Sequence, residues 1–266
     1  MSKRQDTTIV LQGYPSIGIT ERLIETYCLK FDHVIYSTWH DFVRPDAHTS
    51  QAQARGIIRF CSQFPNIKVV LASLPSTATI WNDRNVYYQA MSTLNGLRLV
   101  DTPFTIKVRA DYPYDMAEST LTILGKTPDK IVANNVFFLK DWQTKYHPGD
   151  HVIAGRTQYL RDGFEIATSR CRIGQIARSY LPDLSAETHI CASLLEAKGA
   201  TPTVNDSIQI MMDNYDVVPG YHLQSGIIPG SDQSPNVYNH AKLEGPIPGR
   251  LIESMEEYEK NERPLR

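Results

Sequence analysis

Residues 83–115 read DRNVYYQAMSTLNGLRLVDTPFTIKVRADYPYD. Asn85–Val100 carries apolar residues at helical spacing, and Phe104–Arg109 (FTIKVR) is a short run rich in β-branched and aromatic residues. The stretch therefore predicts a helix feeding directly into a strand. Asn85, Gln89 and Ser92 recur at about one helical turn, and the strand ends in Arg109-Ala110-Asp111. In an open α/β sheet, ligands sit beyond the carboxyl ends of the strands. A carboxylate there, beside an arginine, suits a divalent cation and a diphosphate, because phosphate oxygens and water complete the octahedron of Mg²⁺ or Mn²⁺. The same two residues also read as a plain strand-end salt bridge, and spacing alone leaves both readings open.

Toward the amino terminus the alternation repeats. Thr7–Gln12 is a strand ended by Gly13, Ile17–Lys30 a helix and His33–Ser37 a strand, followed by a helix over Gln51–Phe64 and a strand over Ile67–Ala72. Strands separated by helices predict βαβ crossovers and a mainly parallel sheet covered on both faces. Beyond residue 135 the pattern loosens. Lys130–Asn134 and Val136–Leu139 read as two strands or one interrupted strand, and Val152–Ala154 as a short apolar piece. Ala186–Lys198 is a well-marked helix, with Ser185 as its cap, Glu187 in its first turn and Gly199 as its stop. Glycine and proline are dense from Val217 to Arg250, which predicts ordered loop, and Ile252–Arg263 reads as a charged surface helix or frayed tail.

Composition narrows the function classes. The chain has 266 residues, 41% of them apolar, and a formal charge of −2. That length fits one large domain with a real core, and the charge balance argues against a general nucleic-acid binder. The first nine residues have basic side chains but no apolar signal-peptide core, and no run approaches the ~18 apolar residues of a membrane span, so a cytoplasmic protein is expected. Cys28, Cys61, Cys171 and Cys191 are far apart, which suggests neither a disulfide framework nor a zinc ribbon. Gly125-Lys126-Thr127 resembles the end of a P-loop, but Thr120 stands where that loop needs glycine. Gly13 and Gly18 lack the middle glycine of a dinucleotide fingerprint, and there is no nucleophile elbow.

Four short segments occur in one order: Leu11-Gln12-Gly13, then Tyr36-Ser37-Thr38-Trp39, then Asn85-x-x-x-Gln89-x-x-Ser92-Thr93-x-x-Gly96-Leu97, then Lys107-Val108-Arg109-Ala110-Asp111. In this order the chain resembles the WavE family. These are glycosyltransferases of lipopolysaccharide core synthesis, with similar proteins in large DNA viruses that glycosylate their own capsids. The resemblance covers residues 7–115 and fades toward residue 200. It implies a GT-A-like α/β fold, a mainly parallel central sheet flanked by helices, with an irregular Gly/Pro-rich C-terminal part. No internal repeat or low-complexity linker is visible, so a single domain over residues 1–266 is expected, with a donor half over 1–115, an acceptor half over 116–250 and a charged tail over 251–266.

The resemblance further implies a nucleotide-sugar donor, most simply a UDP-sugar, with Mn²⁺ or Mg²⁺, and a glycan hydroxyl as acceptor. Gln12, Gly13, Thr38, Trp39, Arg84, Gln89, Ser92, Arg109 and Asp111 would surround the donor. GT-A enzymes usually carry an Asp-x-Asp metal motif, and here Asp111 matches its last position while Arg109 replaces the first aspartate. Asp111 and His222 are the candidate metal ligands, and Arg109 could itself offset the leaving diphosphate. An inverting transferase also needs a base for the acceptor hydroxyl. Glu187, opening its helix, is the first candidate and Asp150 the second; the alternative for Glu187 is a helix-dipole residue. His151 and Tyr112 are candidate acceptor contacts. A non-catalytic nucleotide-sugar- or glycan-binding module on the same fold is the alternative function.

Overall fold

The computed structural model describes residues 4–39, 51–75, 80, 85–111, 117–134, 144–173 and 185–218. The elements in chain order are β1 (Thr7–Gln12), α1 (Ile19–Lys30), β2 (His33–Trp39), α2 (Gln51–Cys61), β3 (Ile67–Ala72), α3 (Val86–Leu97) and β4 (Phe104–Arg109), then α4 (Ala117–Lys126), β5 (Ile131–Asn134), β6 (Val152–Arg156), α5 (Thr157–Ile173), α6 (Ala186–Ala197), α7 (Ser207–Asn214) and β7 (Tyr215–Val218). The strands form one seven-stranded sheet in the order β3-β2-β1-β4-β6-β5-β7. Every neighbouring pair is parallel except the two that β6 makes, with β4 and β5. This is the mainly parallel α/β sheet flanked by helices that the strand–helix alternation of the sequence leads one to expect.

Residues alternate across the sheet because successive side chains of a strand point to opposite faces. Val10, Ile35 and Ile153 join α3, α5 and α6 in one core cluster. Ile9, Leu11, Val34, Tyr36, Ile106 and Val108 join α1, α2 and α4 in the other. Both faces are therefore covered, which is why the strands read as apolar runs rather than as alternating half-buried ones.

Close approach of α3 to the sheet depends on Gly96. A Cβ there would meet Val10 Cγ1 at 2.7 Å and Ser37 Cβ at 3.2 Å. The predicted caps of α6 are present: Ser185 accepts a hydrogen bond from the Thr188 N–H at 3.0 Å, and Gly199 follows the helix at φ 82°.

Several expectations need correction. β2 continues to Trp39, because its pairing with β3 extends to Trp39↔Ala72. The segment after residue 135 is more regular than it reads, since α5 spans 17 residues and α7 and β7 complete the sheet's far edge. Tyr215–Val218 is paired to β5, so Val217 begins no loop. Gly125-Lys126-Thr127 closes α4, where the Thr127 hydroxyl bonds to the Asp216 carboxylate, a structural use. Val136–Leu139 and Ile252–Arg263 lie outside the described residues. Among the described residues the four cysteines form no disulfide, and no helix is long and apolar enough to cross a membrane.

Candidate active site

The chain leaves β1 toward β2 and β3 on one side and later returns to β4 on the other, so β1 and β4 flank the point where the strand order reverses. Such a switch point opens a crevice at the carboxyl ends of the strands. The final residues of the two strands, Gln12 and Arg109, are register partners. Alternation from Val10 and Val108 places Gln12, Lys107 and Arg109 on the face covered by α3, α5 and α6. That face is apolar toward the sheet's middle and polar at its carboxyl edge.

Hydrogen bonds join these strand ends to α3 and to the segment before β6. Gln12 Nε2 donates to Ser92 Oγ at 2.8 Å, and the Ser92 hydroxyl donates to the carbonyl of Tyr88 at 2.9 Å. Ser37 Oγ donates to the Ser92 carbonyl at 2.6 Å. One turn earlier on α3, the Gln89 amide donates to the carboxylate of Asp150. Lys107 Nζ donates to the Asp150 carbonyl at 2.5 Å, and the Arg109 N–H to the His151 carbonyl at 3.0 Å. The Arg109 guanidinium grips Asp111 through both carboxylate oxygens, at 3.0 and 2.8 Å. Gly13 holds φ 114°, a conformation that favours glycine, while its N–H donates to the Ser37 carbonyl at 3.1 Å. The structure thus brings together Gln12, Gly13, Gln89, Ser92, Arg109, Asp111, Asp150 and His151 from three elements and three loops.

Lys107 is the charge that sequence reasoning left without a role. It is fully buried, and burial lowers it to about 8, with the Asp150 carboxylate pulling the other way. Burial pushes the Asp150 carboxyl up, but the positive charges of His151, Lys107 and Arg109 and the Gln89 hydrogen bond overcome it and hold the group well below the usual carboxylate range. His151 is itself driven down to about 4 by burial, so at neutral pH the charge partners of Asp150 are Lys107 and Arg109. Asp111 follows the same logic: burial raises it, and the Arg109 charge and hydrogen bonds lower it further. A lysine in a strand buried on both faces is itself a signal, because unpaired charges are excluded from such positions.

Glu187 stands in the first turn of α6 with its side chain 22% exposed, and its carboxylate lies 3.5 Å from His147 Nε2. His147 follows Tyr146, which adopts φ 56°, an unusual conformation for a bulky residue. The Tyr146 hydroxyl is tied to Thr203 by two hydrogen bonds, donating at 2.5 Å and accepting at 2.9 Å.

Two expected donor contacts are not at the crevice surface. Trp39 and Thr38 are buried β2 residues, with Trp39 in an edge contact to Tyr88, because β2 runs two residues farther than its sequence suggests. Arg84, Tyr112 and His222 lie outside the described residues. Among the described residues, no three His, Cys, Asp or Glu side chains converge on a cation site. A cation at Asp111 would have to displace the guanidinium that holds both its oxygens, with buried Lys107 adding positive charge nearby. Of the two expected metal ligands, Asp111 is held by Arg109 and His222 lies outside the described residues.

No protein-family model matches the chain, and no curated protein matches it. Solved structures similar to it include 4-diphosphocytidyl-2C-methyl-D-erythritol synthase from Anaerococcus prevotii, at 12% identity and TM-score 0.41, covering 82% of this chain and 90% of that one. S. aureus TarS is similar at 13% identity and TM-score 0.41, over 77% of this chain and 38% of TarS. A UDP-glucose pyrophosphorylase complexed with UDP-glucose is similar at 10% identity and TM-score 0.36, over 73% of this chain and 86% of that one. Likenesses this distant say nothing of this chain's activity.

Proposed function

We propose that the chain is a GT-A-like glycosyltransferase that moves a sugar from a nucleotide-diphosphate sugar, most simply a UDP-sugar, to a glycan hydroxyl with inversion. The observation that carries the reading is the charged cluster at the switch point: Lys107, Arg109, Asp111 and Asp150 meet where the strand order reverses. A diphosphate leaving group develops negative charge as its bond to the anomeric carbon breaks, and fixed cations aimed there stabilise it. Arg109, 31% exposed in its side chain, is the cation within reach of a ligand, while buried Lys107 holds the segment behind it.

The base must be open to the acceptor and willing to take a proton. Asp150 is enclosed and stabilised in its ionised form, which makes it a poor proton acceptor. Glu187 is the more exposed carboxylate and faces His147. In the proposed step Glu187 takes the acceptor hydroxyl's proton while that oxygen attacks the anomeric carbon, and the diphosphate leaves toward Arg109. Asp111 keeps the guanidinium in place. The resemblance to the WavE family supports a surface glycan as acceptor, as in lipopolysaccharide or a viral capsid.

Steady-state transfer from UDP-sugars, measured for Glu187→Gln and Arg109→Gln, tests these roles. Glu187→Gln is expected to lower kcat by ~10²–10⁴-fold at nearly unchanged donor KM. Arg109→Gln is expected to raise donor KM and lower kcat. Full activity in both variants sinks the assignment. The two-pronged hold of Arg109 on Asp111 also favours a second reading, a nucleotide-sugar-binding module without turnover. Thermal stabilisation by UDP-sugars without transfer to any glycan would select it.

A further inference from the structure

The amide of Gln12 is oriented by its neighbours. The Ser92 hydroxyl spends its only proton on the Tyr88 carbonyl at 2.9 Å, so toward Gln12 it can only accept, and the Gln12 NH₂ must face it. The other end of the amide, Oε1, is buried and has no hydrogen-bond donor among the described residues. Gln12 as a whole is only 6% exposed, and it ends β1 at the switch point between Ser37 and Arg109, its register partners. A buried carbonyl oxygen without a donor is costly, and a bound molecule that supplies the donor recovers that cost.

We infer that Gln12 Oε1 accepts a hydrogen bond from the bound nucleotide and thereby selects it. The inference rests on the proposed nucleotide-sugar site and adds the chemistry that site reads. The matching group is a nucleotide N–H or O–H, supplied either by the imino N–H of uracil or by a ribose hydroxyl. Cytosine presents an acceptor where uracil presents its imino hydrogen, and it would set two acceptors against each other. Ser92 acts here as a positioning residue, since it decides which end of the amide the ligand meets.

Calorimetric titration of the full chain with UDP, CDP and 2′-deoxy-UDP tests this, with Gln12→Met as the near-isosteric variant lacking the oxygen. The native protein is expected to bind UDP at least ~10-fold more tightly than CDP if the hydrogen is the imino one, or than 2′-deoxy-UDP if it is the ribose one. Gln12→Met is expected to abolish that preference and weaken UDP by ~10–100-fold. If Gln12→Met does not fold, Ser92→Ala answers the same question: it frees the amide to turn its NH₂ outward, so the UDP:CDP ratio is expected to fall toward one. For a ribose contact, the UDP:2′-deoxy-UDP ratio falls instead. Preferences that survive in the variant overturn the role of Gln12 while leaving the nucleotide site intact. Failure of all three nucleotides to bind the native chain overturns the underlying site and the inference with it.

Discussion

Lys107 places an ammonium in the middle of β4, with no exposure, against the carbonyl and carboxylate of Asp150. Removing one partner of such a pair strands the other charge in the core, so Lys107→Met is expected to destabilise the fold by about 3 kcal/mol. Adding Asp150→Asn to it should restore most of that loss, and urea denaturation of both variants measures the coupling. The pH response has a definite sign. Lys107 titrates at about 8 in the fold against 10.5 for an ordinary lysine, so the unfolded chain holds more protons between those values. Its contribution to stability therefore rises as pH climbs through that window and is lost as pH falls through 8. Transfer activity should fall over the same window, as the site loses a positive charge. Buried thiols and tyrosines act with the opposite sign at higher pH, and comparing the native protein with Lys107→Met isolates the lysine. At this scale Gln89, Ser92, Arg109 and Asp111 stand out in the sequence by their spacing on one helix and at one strand end, and Gln12 by the family resemblance. Lys107 stood in the same motif without a role, because its partner Asp150 is distant in sequence and only the β4–β6 pairing brings the two together.

The helix pair α5 and α6 carries the proposed base to the site, and the pair meets at a glycine. A Cβ at Gly163 would lie 2.8 Å from Leu194 Cα and 2.6 Å from Leu194 Cδ2, so backbone as well as side chain must yield. Gly163→Ala is expected to lower stability by about 1–3 kcal/mol despite alanine's better helix propensity, with a lower Tm in a thermal melt as the readout. Transfer should weaken too, as α6 shifts Glu187. The elements before residue 115 were legible because each carries one clean period and a turn signal. α5 was missed although Leu160, Phe164, Ala167 and Cys171 recur at helical spacing and are all buried. The polar residues between them and the mid-helix glycine blur that stripe, and Gly163 is there for Leu194, a contact that local sequence does not show. β7 was missed for a related reason: four residues become a strand only because β5 offers an open edge.

Across the whole molecule, the two edges of the sheet differ in chemistry. The carboxyl edge gathers Gln12, Lys107, Arg109, Asp111 and Asp150. The amino edge holds a hollow of about 300 Å³ lined by Thr8, His33, Asn66, Lys68, Asp101 and Thr102, without a comparable cluster of buried charge. The net charge of −2 agrees with this division, because a bound diphosphate needs positive charge locally and not over a surface. The fold class was legible from strand–helix alternation alone. The antiparallel β6, which brings Asp150 and His151 to the carboxyl edge, was not, since strand direction is a property of the assembled sheet. The central claim is that this edge binds a nucleoside diphosphate. A crystal of the full chain soaked with UDP tests it most directly. The account predicts the diphosphate within hydrogen-bond reach of the Arg109 guanidinium and the nucleoside against Gln12; UDP lodged in the amino-edge hollow, or touching neither residue, would contradict it.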